Sequence, residues 1–464
     1  MQKKLSIKSM LEKKKVAVLD LTHGGTGIAL RLRRLCGSVT GVDVYDTLSQ
    51  EKQADLENEG ISVSRHALNA GDFDVLVAPV HLDPGYPMLL DAAKIKLPVL
   101  SHHDAVREIL SGYDLKDKTI IEITGTKAKT STCILLAEIL SREKNVISHT
   151  SRGVEDWSNN KIIRKGLSIT PASVLEALDS AIEAGIDYQV LISEISLGGT
   201  GSADVGVITT ISSDYMIANN TKLASEAKRQ MIINAKPGST LVINHDALRF
   251  FGACRRDVNI ISFSDDINAS CNVYYEDISS KGGVIAYYLG RKKGRITITE
   301  NQDYDIAAYK TAFVCATAVS LAMDIDADTI ERSIREFRGA EGRMRKKYLE
   351  GRILIDNSNS GMDIRSAENA LLFSKAQGGR IVMVLGEEAK EVCEGLDPSG
   401  VAKFIDSHLI DLGALILVGE RMKPLVKDNI NKIHHAVDLS RGIELAKRLT
   451  HENEIILSCV KCFR

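Results

Sequence analysis

The sequence predicts an α/β protein built from three domains. Short apolar runs alternate with helical stretches along the whole chain, which is the pattern of parallel sheets covered by helices. The 464 residues also exceed the roughly 100–200 residues that one domain usually holds. A polar, turn-rich stretch at residues 112–118 marks the first boundary. We therefore expect domains at residues 1–112, 113–340 and 341–464.

Each domain has its own set of expected elements. In the first domain we expect a helix at 28–35 and strands at 16–20, 39–44 and 75–79. In the second we expect helices at 131–142 and 307–323 and strands at 119–124, 189–193, 206–211 and 240–244. In the third we expect strands at 353–356, 380–385, 414–418 and 454–458, with helices between them.

Composition argues against several classes of protein. Lys plus Arg is 59 and Asp plus Glu is 61, so the formal net charge is −2, whereas nucleic-acid binders usually carry a basic excess. The longest apolar stretch, residues 312–323, is shorter than the roughly 20 residues that a membrane span needs. The eight cysteines are scattered, which argues against a disulfide framework. We expect a cytoplasmic protein without nucleic-acid or membrane partners, and the sequence leaves its oligomeric state open.

The clearest functional signal is a strand, a glycine turn and a helix at residues 120–132. Such a turn aims backbone N–H groups at one point beside the positive end of a helix, which makes a phosphate cradle. Lys129 is placed to reach the β and γ phosphates of a nucleotide, and the Thr130 hydroxyl is placed to bind Mg²⁺. The alternative is an ordinary turn with exposed lysines. The expected cradle residues are Gly125, Thr126, Lys127, Ala128, Lys129, Thr130 and Ser131.

Two later strands end in polar groups suited to a nucleotide site. Glu194 ends one strand, and Asp214 follows another. A carboxylate at the carboxyl end of a parallel strand lies beside such a loop and offers Mg²⁺ a second contact. The alternative for Glu194 is a strand-end residue without a metal role.

The loop Thr124-Gly-Thr-Lys-Ala-Lys-Thr130 resembles the Thr-Gly-Thr-x-Gly-Lys-Thr loop of the Mur ligase superfamily. This superfamily contains the peptidoglycan amino-acid ligases and the folylpolyglutamate synthetases. The resemblance runs through the whole chain with its motifs in order. It implies a Rossmann-like N-terminal domain, a central P-loop ATPase domain and a Rossmann-like C-terminal domain.

The resemblance also implies roles for individual residues. Lys129, Glu194 and Lys228 would be catalytic, with Glu194 binding Mg²⁺ beside Thr130. Lys228, in the segment 224–232, would be carbamylated and would offer an anionic ligand to a second Mg²⁺; the alternative is a surface lysine on a helix. ATP contacts would come from three further residues, which are Asn244, Arg343 and Asp356, the last near the ribose.

Three departures separate the chain from a standard peptidoglycan ligase. Ala128 stands where the superfamily usually has Gly, so we expect a tighter loop. Tyr215 stands where a His commonly follows the Asp, and tyrosine is a poor Mg²⁺ ligand. The His-Asn…Asn pattern that contacts adenine is absent around residues 309–312, so we expect a differently lined adenine pocket.

Residues 16–27 and 41–46 are similar to the opening of an archaeal branch of the superfamily that works in methanogen cofactor biosynthesis. This similarity implies a small-molecule substrate, a nickel seco-tetrapyrrole acid. One propionate would be activated as an acyl phosphate, with release of ADP and phosphate, and a six-membered carbocycle would close. The alternative is a Mur-type amide ligase that joins an amino acid to a nucleotide-linked or polyglutamate-type carboxylate. A nucleotide-binding module without turnover is a third hypothesis.

Ring closure requires a carbon nucleophile, and a base would help to remove its proton. Four histidines at expected strand ends or loops are candidates, although each is individually more often structural: His23, His102, His103 and His245. Carboxylates of a tetrapyrrole would favour cationic partners. Three arginines could serve, although a solvated helix face is the plainer interpretation: Arg31, Arg33 and Arg34.

Two weaker signals point elsewhere. The stretch 24–27 with Asp43 and Asp46 imitates a dinucleotide fingerprint without its full spacing, so an NAD-dependent oxidoreductase is the rival enzyme class. Cys459 and Cys462 have the spacing of a redox or metal pair, but no second pair lies nearby, which favours a chance occurrence.

Overall fold

The computed structural model describes residues 11–251, 255–279, 281–388, 395–426 and 431–462. Their strands form three large sheets and one two-stranded ribbon. The chain divides into two compact units. The first comprises Met1–Glu276, Ile285–Arg295 and Thr311–Ile330, and the second comprises Asp277–Val284, Ile296–Lys310 and Glu331–Arg464. The three domain boundaries expected from the sequence stay a prediction.

The first sheet contains five parallel strands in the order β3-β2-β1-β4-β5. Its strands are β1 (Lys15–Leu19), β2 (Ser38–Val42), β3 (Ser62–Ser64), β4 (Val75–Ala78) and β5 (Val99–Ser101). Its helices are α1 (Thr26–Leu32), α2 (Gln50–Asn58), α3 (Pro87–Ile95) and α4 (His102–Leu110), with a π-helical turn at Leu21–Gly25 and a 3-10 turn at Ala70–Asp72. The strand order reverses direction between β1 and β4. Open α/β sheets bind ligands at this kind of switch point.

The second sheet is built around β6 (Thr119–Thr124), which pairs in parallel with β10 and β11. The elements that follow β6 are α5 (Lys129–Leu140), β7 (Val146–Thr150), β8 (Gly153–Asp156), β9 (Lys161–Arg164), α6 (Ala172–Glu183), β10 (Val190–Glu194) and β11 (Val205–Ile208). Next come β12 (Met216–Ile217), β13 (Lys222–Leu223), α7 (Ala224–Lys228), α8 (Gln230–Ile233), β14 (Thr240–Asn244), α9 (His245–Phe251) and β15 (Asn259–Ser264). The last are β16 (Val273–Ser279), β17 (Gly282–Leu289), β18 (Lys292–Thr299), α10 (Ile306–Ala322) and α11 (Ala327–Glu336).

The order through this sheet is β18-β17-β16-β15-β14-β11-β6-β10-β7-β8-β9, and β12 and β13 form the separate ribbon. Register places Ile123 between Val207 on one side and Glu194 on the other. The carboxyl ends of β6, β10 and β11 therefore lie side by side. The fully buried apolar side chains of these strands, such as Ile121, Ile192 and Val207, explain why they form the centre of the sheet.

The third sheet has the order β19-β20-β24-β21-β22-β23, with β19 antiparallel and the other pairs parallel. Its strands are β19 (Arg345–Leu349), β20 (Arg352–Asp356), β21 (Ile381–Glu387), β22 (Ala414–Val418), β23 (Ile433–Ala436) and β24 (Ile455–Lys461). Its helices are α12 (Ile364–Ala376), α13 (Pro398–His408) and α14 (Leu439–Leu449), with 3-10 turns at Leu409–Asp411 and Glu420–Leu425.

The α/β class and nearly every expected strand and helix are confirmed, with ends shifted by a few residues. The sequence reasoning missed the remaining strands, which are β3, β5, β7 to β9, β12, β13, β15 to β19 and β23. In the part of the chain that the structure describes, no helix has the length and apolar character needed to cross a bilayer.

Candidate active site

The loop between β6 and α5 has the backbone geometry of a phosphate cradle. Gly125 has φ 149°, and a Cβ there would overlap the Thr209 hydroxyl, so the position requires glycine. Thr126 N–H donates to the Thr210 carbonyl at 2.8 Å, which fixes the loop to the end of β11. Ala128 has φ 64° and ψ 0°, the left-handed conformation that glycine adopts without strain. Ala128 therefore adopts a conformation that a glycine would take without strain, and the tighter loop stays a prediction.

Lys129 begins α5, and its Nζ donates to the Gly125 carbonyl at 3.0 Å. The side chain thus folds across its own loop, which concentrates positive charge at the amino end of the helix. Lys127 is exposed, and its carbonyl accepts a hydrogen bond from the Thr209 hydroxyl at 2.6 Å. Ser131 is buried in the first turn of α5. The loop therefore presents one lysine, Lys129, across the turn and the other to solvent.

Thr130 and Glu194 are brought together by the register of β6 and β10. Thr130 Oγ1 lies 2.8 Å and 3.0 Å from the two carboxylate oxygens of Glu194. Glu194 is only 2% exposed, and Ser151 N–H also approaches its carboxylate at 3.4 Å. A hydroxyl and a carboxylate side by side form the oxygen donor set that Mg²⁺ prefers. The arrangement therefore fits a magnesium ion held at the start of α5.

Lys228, the last residue of α7, is completely buried. The alternative of a surface lysine is therefore wrong. Its Nζ lies 3.5 Å from the Tyr215 hydroxyl and 4.8 Å from the centre of the Tyr215 ring. Burial lowers the pKa of Lys228 to about 7; the positive charge of Lys129 lowers it further, and Asp214 opposes both effects. The surroundings of Lys228 therefore favour the uncharged amine.

Asn244 holds strand ends in place. At the end of β14 it is buried, and its Nδ2 donates to the Thr209 carbonyl at 2.7 Å. Sequence reasoning missed Asp246, whose Oδ2 accepts the N–H groups of Ile211 and Ser212 at 3.0 and 3.1 Å. Asp246 therefore shapes the turn after β11. Only its position two residues after a strand end could have signalled it.

Arg343 and Asp356 lie near each other in the second unit. Asp356 is buried and accepts the N–H groups of Gly342 and Ser358, both at 3.2 Å. Arg343 donates to Asn359 Oδ1 at 2.9 Å. These contacts organise the turn after β20 around Arg343.

Tyr309 occupies the place where the superfamily's adenine-contacting pattern is missing. Its hydroxyl accepts the Ala340 N–H at 2.7 Å and donates to the Arg343 carbonyl at 2.6 Å. Tyr309 therefore fastens the turn that carries Arg343. The structure gives it a supporting role for that turn.

The histidines of the first sheet differ in their surroundings. His102 and His103 are buried, and burial lowers the pKa of each to about 4. His102 Nε2 lies 3.0 Å from the Leu19 carbonyl, and the structural interpretation of these two residues stays a prediction. His23 instead is partly exposed and contacts the carboxylate of Asp20. His245 begins α9 and is also partly exposed.

The interpretation of Arg31, Arg33 and Arg34 as a solvated helix face is wrong for Arg31. Arg31 forms an ion pair with Asp179 and donates to the Gly27 carbonyl at 2.8 Å, so it belongs to a packed contact rather than a solvated face. Arg33 is exposed and donates to the Gly60 carbonyl at 3.1 Å. Arg34 is also exposed.

The glycine stretch after β1 packs against protein. A Cβ on Gly24 would lie 2.7 Å from Thr170 Oγ1 and 2.8 Å from the Ala172 side chain. The glycine is therefore explained by close packing against the start of α6, which weakens the dinucleotide hypothesis. Cys459 lies in β24 and Cys462 directly after it, and both side chains are buried.

Comparison with known proteins identifies the family. Residues 346–462 match the family model "Coenzyme F430 synthetase CfbE, C-terminal domain", and residues 123–304 match "Mur ligase middle domain". The chain is 44% identical to the coenzyme F(430) synthetase of Methanosarcina acetivorans, over 98% of this chain and 100% of that relative.

Solved Mur ligases share the fold. The UDP-N-acetylmuramoylalanyl-D-glutamyl-2,6-diaminopimelate–D-alanyl-D-alanyl ligase from Acinetobacter baumannii matches with a TM-score of 0.56 at 16% identity, over 78% of this chain and 77% of that one. The MurF ligase from Thermotoga maritima, in complex with ADP, gives a TM-score of 0.52 at 12% identity, over 99% of this chain and 94% of that one. The three-domain Mur ligase architecture is thereby confirmed. The chain belongs to the coenzyme F(430) synthetase family of the Mur ligase superfamily.

Proposed function

We propose that this chain activates a propionate of a nickel seco-tetrapyrrole acid with ATP and closes the carbocyclic ring that gives coenzyme F(430). Membership of the superfamily makes the chain an ATP-dependent ligase. The observation that supports this choice of substrate is the 44% identity, which extends over the full length of a protein named for this product.

The phosphate loop supplies the electrostatics of the first step. Backbone N–H groups at the start of α5 and the Lys129 ammonium would bind the β and γ phosphates of ATP. The substrate carboxylate attacks the γ phosphorus, ADP leaves, and an acyl phosphate remains. Positioning and charge stabilisation account for most of such catalysis. The ATP contacts of Arg343 and Asp356 stay predictions, and Asn244 is proposed to hold the strand ends beside the phosphate loop.

Thr130 and Glu194 are proposed to hold Mg²⁺. The two side chains already touch, and the buried Glu194 carboxylate lies beside the Ser151 N–H and the Thr130 hydroxyl at the start of α5. Bound there, Mg²⁺ would neutralise charge on the phosphates. The other loop residues would contribute backbone groups.

Lys228 is proposed to be carbamylated. An uncharged amine is needed for addition to CO₂, and burial provides it. The carbamate would replace a cation with an anion, which suits a second Mg²⁺ beside Tyr215.

Short carboxylic acids test the carbamate. We expect Lys228→Ala to lose turnover by roughly 10²-fold or more, as removal of a charge-stabilising group typically does. Added formate or acetate should restore part of the rate, because either anion can fill the space of the carbamate. Lys228→Met, which refills that space, is the control and should not respond. Loss without rescue would contradict the carbamate role.

The choice of carboxylate tests the proposed substrate. ADP release should depend on the nickel seco-tetrapyrrole acid and should need no amino acid. The alternative, a Mur-type amide ligase, requires ADP release with a nucleotide-linked or polyglutamate-type acid together with an amino acid. ATP binding with no turnover on either acid would favour the third hypothesis, a nucleotide-binding module without catalytic activity.

The absence of nucleic-acid and membrane partners and the cytoplasmic location stay predictions.

A further inference from the structure

A carboxylate shared by two imidazoles lies at the end of β1, outside the phosphate loop. Asp20 is completely buried, and its Oδ2 lies 2.8 Å from His23 Nδ1 and 3.2 Å from His81 Nε2. Its Oδ1 accepts the N–H groups of Thr22 and His23, both at 3.1 Å. Both imidazoles are about one quarter exposed, at 28% and 27%. We call Asp20, His23 and His81 the histidine cluster.

The backbone and the ring contacts hold the histidine cluster in a defined arrangement. Asp20 has φ 65°, a left-handed conformation that residues other than glycine, asparagine and aspartate rarely adopt. His23 follows in the irregular π-helical turn Leu21–Gly25. The T-shaped contact between the two imidazoles, 5.1 Å between ring centres, fixes their mutual orientation. The carboxylate is thus held where both rings can reach it.

The cluster occupies the switch point of the first sheet. Asp20 follows β1, and His81 lies three residues after the end of β4, the strand paired with β1 on the side where the order reverses. Ligands of open α/β sheets bind in the crevice at this point. The histidine cluster therefore lies where an open α/β sheet is expected to bind its ligand, and both imidazoles are partly exposed there.

The His81 loop also packs against the segment that carries Lys228. Val80, the neighbour of His81, belongs to an apolar cluster with Tyr215 and Ala227. Asp83 on the same loop accepts a hydrogen bond from Asn219 Nδ2 at 2.8 Å. These contacts lie within the first unit and join the switch point to the segment beside the phosphate loop. The switch point of the first sheet is therefore in direct contact with the segment that carries Lys228.

Asp20 determines what His23 can do. Burial disfavours its charge, but the hydrogen bond from His23 and the nearby imidazole of His81 hold the pKa of Asp20 well below its usual range. The carboxylate stays ionised and accepts the proton on His23 Nδ1. The lone pair of that imidazole is then on Nε2, and the adjacent anion stabilises the protonated ring. This is the arrangement of a general base oriented by a carboxylate.

We propose that His23 is the general base of ring closure, with Asp20 as its positioning residue. The inference rests on the proposed function. His23 Nε2 takes the proton from the nucleophilic carbon, and the C–H electron pair forms the new C–C bond to the acyl carbon. The acyl C–O bond to phosphate breaks, and inorganic phosphate leaves with that electron pair. The product is a cyclic ketone, and the proton on His23 passes to solvent.

Trapping of the acyl phosphate separates this role from the earlier step. With Mg-ATP, the nickel seco-tetrapyrrole acid and hydroxylamine, activated carboxylate is captured as a hydroxamate without a carbon nucleophile. We expect His23→Ala to form hydroxamate at a rate within a few fold of the wild-type rate. Its ring closure should fall by roughly 10²-fold or more, because general base catalysis contributes about 10²–10⁴-fold. Added imidazole should restore part of ring closure, and Asp20→Asn should show the same split.

His66→Ala is the matched control. His66 is an exposed histidine of the same segment and should leave both rates unchanged. Wild-type ring closure in His23→Ala, or equal loss of both reactions in His23→Ala and Asp20→Asn, would overturn the assignment. So would a stoichiometric metal ion in the wild-type protein that His23→Ala loses, because the cluster would then be a metal site. If the wild-type chain forms no hydroxamate from this acid, the proposed function itself fails and the assignment falls with it.

Discussion

Lys129 and Lys228 show how surroundings divide one residue type between two roles. Lys129 reaches the Gly125 carbonyl on its own loop, where a phosphate would be bound. Lys228 is buried against Tyr215, and burial lowers its pKa to about 7. The first lysine suits a charge contact with a phosphate. The second suits covalent modification of an uncharged amine.

We predict that Lys129→Ala lowers turnover by roughly 10²-fold or more, because one charge-stabilising group is removed from the developing phosphate charge. The measurement is the rate of ADP release at saturating substrate. Lys165→Ala, which removes an exposed lysine away from the loop, is the control and should keep the wild-type rate. Near-normal turnover in Lys129→Ala would mean that this loop does not hold the phosphates.

For individual residues, the sequence predicted only those arrangements that neighbouring residues in the chain determine. Strand, glycine, lysine and threonine follow one another, so the relation of Lys129 and Thr130 to the loop is local. Asp20 and His81 are far apart in the sequence, and only the pairing of β1 with β4 brings them together. Asp246 likewise contacts the turn after β11 from a position 35 residues further along the chain. A single sequence carries no signal for such pairs.

Among the elements, the connection between β6 and α5 gives a prediction of its own. Gly125→Ala should raise the KM for ATP by about tenfold or more, since its Cβ would overlap Thr209 and shift the loop. Ala128→Gly should keep turnover and should not lower the unfolding temperature, because it relieves a left-handed alanine. ATP-dependent initial rates and thermal unfolding measure both effects. An unchanged KM in Gly125→Ala would show that the loop tolerates a displaced backbone.

The elements divide into two groups by how well the sequence predicted them. Parallel strands such as β6 and β24 are buried almost throughout, so their apolar runs stand out. The edge strand β9 lacks such a run, because it is largely exposed and a register shift interrupts its pairing with β8 at Val154 and Glu155. Its neighbours β7 and β8 are buried, so exposure does not explain why the sequence reasoning missed them. Strand signals depend on burial patterns, and exposed or irregular edges lack them.

For the molecule as a whole, a buried acid makes stability depend on pH. Glu122 in β6 is completely buried, and burial raises its pKa to about 7 against hydrogen bonds from Thr200 and with a contribution from Asp204. A raised pKa in the folded state means that the protonated form is favoured there. Its stabilising contribution is present below the unfolded pKa and is lost as the pH rises through about 7.

We therefore predict that Glu122→Gln gains stability relative to the wild-type protein as the pH rises from about 5 to about 8. The gain should be on the order of 1–3 kcal/mol, since one unit of pKa shift corresponds to about 1.4 kcal/mol. Thermal unfolding of both proteins across this range measures the difference. A difference that does not change with pH would show that Glu122 is ionised in the folded protein throughout.

The central claim concerns the whole molecule, and mass spectrometry of the product tests it most directly. The chain is incubated with Mg-ATP and the nickel seco-tetrapyrrole acid, and the masses of the tetrapyrrole and the amounts of ADP and phosphate are followed together. We predict a product lighter by one water, with one ADP and one phosphate released for each ring closed. ATP left intact, or ADP released while the tetrapyrrole keeps its mass, would contradict the account.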